Sequence, residues 1–275
     1  MRFAAFRAEM TKQLLRARTY VALGIVVVLP IVMTIAVKYG GRGDRAEGDS
    51  LFRLARESGL VMPAAALLFM SRFLLVVVVA IFAGDAVAGE ATWGNLRYVL
   101  VRPIGRARLL GAKLAMAGVF IVIATLLIVV TGLLAGGIAF GWHRVDVDYG
   151  FGLFSLHESV GQLLWHLAIA SAYVAWSMTS VVALAFMVST MSDAATGAIG
   201  AGVGLYVVSQ ILDAIPQLGF LRYGLPTHYL DDWRGLIVNN QADANLIRGV
   251  MVQIPYVAAF CAVAFWWFRR KDVLS

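Results

Sequence analysis

Charge is scarce in this chain. Only 14% of its 275 residues are Asp, Glu, Lys or Arg, while 61% are hydrophobic; a soluble domain carries roughly 25% charged and 45–50% apolar residues. With a mean hydropathy of +0.81, that shortage excludes an ordinary water-soluble enzyme or binding domain and points to a membrane protein. Cysteine is nearly missing too. Cys261 stands alone in an apolar run, with no CxxC or His-rich neighbour, which excludes a thiol-ligated metal site or a redox pair and leaves a small packing residue.

Signatures of chemistry are also lacking. The sequence contains no GxxxxGK[ST] loop to cradle phosphates and no soluble tract long enough for a nucleotide-binding domain. An intramembrane protease needs a nucleophile pair, paired aspartates or a zinc motif, and "SLHESVGQ" (Ser155 to Gln162) lacks the second His of HExxH. His228, Asp231 and Asp232 do not follow a ligand spacing and have no paired nucleophile. A gradient-driven secondary transporter, the alternative membrane reading, calls for paired halves with interrupted spans and midplane charges, of which only Arg72 is present. No metal and no cofactor is expected on this chain.

What is present is six apolar stretches. Spans are expected at about 20–37, 61–84, 112–140, 161–188, 194–215 and 249–268, each near the length needed to cross roughly 30 Å of hydrocarbon. The tract from 161 to 212 is too long for one crossing, and its only polar cluster, "STMSDAATG", places a tight turn at Ser189 to Asp193. The fold class is therefore all-α, a single six-span domain over residues 1–275. Ahead of it, Phe3, Phe6, Met10 and Leu14 recur at near-helical spacing with Arg2, Arg7, Lys12 and Arg16 on other faces, which predicts an amphipathic helix over 1–18 in the headgroup layer.

The net charge of +7 is an orientation signal rather than a nucleic-acid footprint, because the basic residues flank apolar runs. Arg97, Arg102, Arg106, Arg108 and Lys113 follow the second span and Arg269, Arg270 and Lys271 follow the last, whereas the loop from Trp142 to Val160 has only Arg144. An even number of spans with both termini cytoplasmic in a cell (inner) membrane follows. Arg72, near the middle of the second span, costs about 2.5 to 3.5 kcal/mol, but "FLLVVVVAIF" returns about 0.3 to 0.6 per large apolar residue, so the span survives. Arg72 is expected to face protein, water or headgroups.

Polar residues inside the spans admit more than one role. Gly197, Gly200, Gly202 and Gly204 suit tight helix packing, and Ser209, Gln210 and Asp213 near the outer end of the fifth span are candidates for a translocation path with Arg72. Asp213 equally suits a pair with Arg222. His166, Ser171, Ser177, Thr179 and Ser180 give the fourth span a polar seam suited to interhelical bonding.

Between the second and third spans a compact charged insert is expected to form a helix over about 89–101, with Trp93, Leu96, Arg97 and Leu100 on one face. Arg102-Pro103 stops it and Gly105 permits a reversal. Trp93, Leu96 and Leu100 suit a groove on a soluble partner, at about 1.5 to 3 kcal/mol per buried side chain, with Glu90, Arg97 and Arg106 fixing register. The same residues suit a lipid surface.

The stretch "FAGDAVAGEATWGNLRYVLVRPIGRARLLGAK" resembles the cytoplasmic segment of type 2 ATP-binding cassette (ABC) exporter permeases, with Asp85, Glu90, Gly94, Leu96, Arg97, Pro103, Arg106 and Lys113 at the motif positions. Asn95 departs from the more usual Thr. "AEMTKQLLRARTY" is similar to that family's N-terminal elbow helix, and "LPTHYLDDWRGL" resembles its external re-entrant region, here a lid over 216–246. The resemblance implies a permease that dimerises with a second copy or a homologous permease. Its coupling helix would insert into one of two separate ATPase subunits, which bind ATP and Mg, and its second and fifth spans would line the path.

Overall fold

The computed structural model describes residues 2–40, 50–92, 105–142, 145–149, 154–238 and 244–270. Within them the chain is helical with one short hairpin. Helix α1 (Arg2–Leu14) is followed at once by α2 (Ala17–Tyr39), then by α3 (Ser50–Glu57) and a 3-10 turn, Gly59–Val61. Helices α4 (Met62–Ser71), α5 (Leu74–Thr92) and α6 (Arg106–Phe140) follow, then strands β1 (Val145–Tyr149) and β2 (Phe154–Glu158). The chain ends in α7 (Val160–Ser177), α8 (Thr179–Met191), α9 (Ala195–Asp213), a 3-10 segment (Pro216–Gly224), the short α10 (Arg234–Val238) and α11 (Ala244–Arg270).

Among the described residues, six helical stretches are long and apolar enough to cross a bilayer: α2, α5, α6, α7 with α8 as one interrupted span, α9 and α11. The expected spans are thus recovered in number, with corrections to their limits. The second does not run over 61–84. It breaks at Arg72 and Phe73, so that α4 is a separate buried apolar helix and the crossing helix is α5, displaced toward the C-terminus. Summed hydropathy is blind to such a break, because ten apolar residues on either side outweigh one arginine. The turn after the fourth span lies at Ser192 to Ala194, not Ser189 to Asp193, since α8 continues to Met191. Part of the loop after α6 is an antiparallel hairpin, with Val145 opposite Glu158 and Tyr149 opposite Phe154, so the described chain is not purely helical.

Helix α5 is the axis. It packs against α6, α8 and α9, and most of its length is buried. Phe82 stacks on Phe120 of α6 with ring centroids 4.4 Å apart. Against α9 the approach is closer, because a Cβ on Gly84 would fall 2.8 Å from Ile199. Gly202 lies against Ala185, where a Cβ would come within 2.9 Å, but Gly200 and Gly204 have nothing within 4 Å. Tight packing therefore accounts for Gly202 alone among these three. At the far end of α6, Gly141 adopts φ 86°, ending the helix and turning its carbonyl toward Gly59, whose N–H donates to it over 3.2 Å. The 59–71 segment is held there along α6.

Candidate functional site

Polar side chains gather at the two ends of α5, whose 19 residues span about 28 Å. The end that meets α1 is here called the base and the Arg72 end the crown.

The base is built from ionic groups that the chain brings together over long separations. Lys113, 2% exposed on α6, places its Nζ 3.0 Å from Glu9 Oε2 and 2.9 Å from Glu90 Oε2, and donates to the Ala86 carbonyl over 2.8 Å. Lys12 lies 3.1 Å from Glu90 Oε1 and 3.3 Å from Glu9 Oε1. Burial works against the charged form of Lys12, but Glu90 and Glu9 outweigh it and raise its pKa. Asp85, 1% exposed, receives the guanidinium groups of both Arg16 and Arg18. These pairs tie α1 to α5 and α6. On the far side, buried Ser189 of α8 accepts the backbone N–H groups of Val87 and Ala88 at 3.1 and 2.9 Å.

The sequence reading set Asp85 and Glu90 on a face offered to a partner, and here it is corrected. Both are enclosed and paired within the chain, because α5 continues through Gly89 to Thr92 and turns them toward α1 and α6. Residues 89–92 are the last turn of a spanning helix, not the start of a separate one. Trp93, Gly94, Leu96, Arg97, Leu100 and Pro103 lie outside the described residues, so the expected helix over 89–101 is tested only at its root. Arg106 opens α6 and donates to the Arg269 carbonyl at the end of α11, 3.3 Å away. Glu9 was missed, although it is the only acidic residue among the first forty-three and that isolation in a basic segment was a readable signal.

The crown is held mainly by hydroxyls and half-exposed ion pairs. Arg72 lies at the C-cap of α4, not in the middle of a span, and its NH2 is 2.8 Å from Asp231 Oδ2. Tyr206 donates to the Ser71 carbonyl over 2.9 Å and accepts from Gln210. Ser209 and Thr227 hydroxyls are 2.6 Å apart. Asp213 contacts Arg222 at 3.3 Å and His228 through the same oxygen. Tyr173 donates to the Tyr229 carbonyl over 2.6 Å, and Gln253 to that of Pro226 over 2.7 Å. Trp233 is fully buried. Arg72, Ser209 and Asp213 thus anchor the 213–233 segment, while Gln210 bonds Tyr206 within α9.

One further expectation is revised. Ser171, Ser177, Thr179 and Ser180 bond carbonyls three or four residues back on their own chain, at Leu167, Tyr173, Trp176 and Ser177, which is intrahelical satisfaction and not an interhelical seam. His228 turns to Asp213 while Asp231 turns to Arg72, so these two side chains make separate contacts.

Residues 55–274 match the family model described as protein of unknown function (DUF2705). The chain is also 25% identical over 214 residues to the uncharacterized protein YhcI of Bacillus subtilis (strain 168), an alignment covering 71% of this chain. It spans 63% of that relative, less than two thirds of its length.

Proposed function

We propose that this chain, which belongs to the DUF2705 family, is the membrane-spanning permease subunit of an ATP-driven ABC exporter. The observation that carries the reading is the clamp at the base. Glu90 and Lys113 stand on either side of residues 93–104, and their 2.9 Å contact closes the roots of that segment against each other and against Glu9 of α1. A segment with the "GNLR…RPIGR" pattern, emerging from a closed ionic clamp, suits transmission of force from a soluble partner into α5 and α6. Separation of Glu90 from Lys113 would break the direct ion pair between α5 and α6 and leave each with a single partner on α1, so the contact favours movement of the two roots together.

In this reading α1 is the elbow helix and 93–104 carries the coupling surface, with Trp93, Leu96 and Leu100 entering the partner. The segment over 216–246 is the external re-entrant lid. Both termini are cytoplasmic in the cell membrane, and two permease copies, or this chain and a homologous permease, form the path. ATP and Mg are bound by two separate ATPase subunits. The absence of a phosphate-binding loop from the sequence supports that division.

The test is co-expression with candidate ATPases encoded beside the gene, followed by affinity purification and measurement of ATP turnover in nanodiscs. Trp93→Asp is expected to leave the permease in the membrane and lower ATPase co-purification by about tenfold, the loss of one buried aromatic anchor. Wild-type levels of bound ATPase and of its turnover would show that Trp93 is not the docking anchor. Failure of any ATPase to co-purify with wild type would end the exporter reading.

A further inference from the structure

We propose that the junction of α1 and α2 is a binding site for the phosphate of an anionic phospholipid, formed by Lys12, Arg16 and Arg18. The inference does not depend on the transport reading. Its starting point is a charge mismatch. Four cations, Lys12, Arg16, Arg18 and Lys113, converge on three carboxylates, Glu9, Asp85 and Glu90. Lys113 is 2% exposed and enclosed by two of those carboxylates, so the unmatched positive charge belongs to the three outer residues. Their side chains are 42%, 28% and 39% exposed in the same order.

Hydrogen-bond capacity gives the same result. Two guanidinium groups carry about ten N–H donors, while one carboxylate accepts about four. Asp85 receives both guanidinium groups and Gln13 Oε1 takes one further bond from Arg16 at 3.3 Å. Donors are left over on groups whose planes Asp85 holds in place. Fixed guanidinium forks match the two oxygens of a phosphate.

The surroundings identify the source of that phosphate as lipid. Arg16 is the N-cap of α2 and Arg18 its second residue, so both sit where an apolar crossing helix begins. Leu15, Tyr20 and Val21 are 78%, 64% and 62% exposed beside them. A headgroup phosphate on the arginines would lay its acyl chains along these side chains, a continuity that a free anion lacks. The surplus positive charge selects a headgroup of net negative charge over a zwitterionic one, whose own cation opposes it.

The experiment uses the full chain purified in detergent with equimolar phosphatidylglycerol and phosphatidylcholine added, and counts retained lipid by native mass spectrometry. Wild type is expected to retain about tenfold more phosphatidylglycerol, equivalent to one or two basic residues at a membrane surface, with the preference falling as salt rises. Arg16→Gln with Arg18→Gln alone would strand buried Asp85, so Asp85→Asn is added, and this triple variant is expected to lose the preference while keeping its elution volume. Equal retention of both lipids by wild type, or an undiminished preference in the triple variant, overturns the site. Displacement of the lipid by millimolar inorganic phosphate would identify a free-anion site and overturn the lipid assignment.

Discussion

At the base of α5, Asp85, Glu90 and Lys113 are each 5% exposed or less, and their charges are compensated by one another, by Glu9 and Lys12 of α1 and by Arg16 and Arg18 at the start of α2. At the crown, Arg72 and Asp231 are 50% and 33% exposed, Asp213 and Arg222 23% and 30%, and the remaining ties are hydroxyl and amide hydrogen bonds together with the His228–Asp213 contact. The same helix is therefore fastened in two ways. Parting the base leaves enclosed charges without their partners, at several kcal/mol per charge. Parting the crown exchanges each contact for one with water, at about 1 kcal/mol or less. Any rearrangement of this molecule is expected to begin at the crown and to carry the base as a block.

The strongest way to break that contrast is to remove the central cation. Lys113→Met leaves Glu9 and Glu90 facing each other in the interior, and a loss of about 3–5 kcal/mol is expected, read as a lowered denaturation midpoint in detergent. Adding Glu9→Gln and Glu90→Gln removes the stranded charges and is expected to restore much of that loss, because a neutral polar cluster costs less than an unpaired ionic one. A cost below about 1 kcal/mol for Lys113→Met would place the base among ordinary surface pairs and erase the distinction.

What could be read from the sequence follows the same division. Spans are a local property, since about 20 apolar residues are enough to identify a crossing; α2 and α9 were located to within three residues at each end, while α6 and α11 begin six and five residues earlier than expected. The base network is not local: Glu9, Glu90 and Lys113 come from three elements, and only folding puts them in contact. Glu90 was assigned with Arg97 and Arg106 to fix the register of a docked helix, a role that fails for Glu90 once α5 is seen to include it and turn it inward. The hairpin was legible in principle. "VDVDY" alternates with period two, but the short stretch was absorbed into a loop. At the crown, Asp213 with Arg222 was one of the pairings considered and is the one formed.

A milder perturbation sharpens the crown side. A Cβ on Gly249 would meet the Tyr173 hydroxyl and approach Tyr229 Cβ at 2.8 Å, where α11 passes the 213–233 segment. Gly249→Ala is expected to cost about 1–3 kcal/mol and to raise protease sensitivity within 216–233 without changing that of α1. Gly204→Ala, with nothing within 4 Å, is expected to stabilise α9 by about 0.5–1 kcal/mol through helix propensity. Equal sensitivity of both ends to Gly249→Ala would mean that crown and base are one cooperative unit.

The smallest effect is expected at Arg72 itself. An arginine in the middle of a hydrocarbon-spanning helix would be indispensable to its surroundings, but the break after Ser71 lifts Arg72 to a half-exposed position beside Asp231. Arg72→Ala is therefore expected to cost under about 1 kcal/mol, and less in high salt, as for other solvent-exposed pairs. Asp231→Ala in the same background should add little more, because the partner is already lost. A cost near that of Lys113→Met would mean that water does not reach the Arg72–Asp231 pair. The crown would then be as dry as the base, and the two ends of α5 would be equally hard to part.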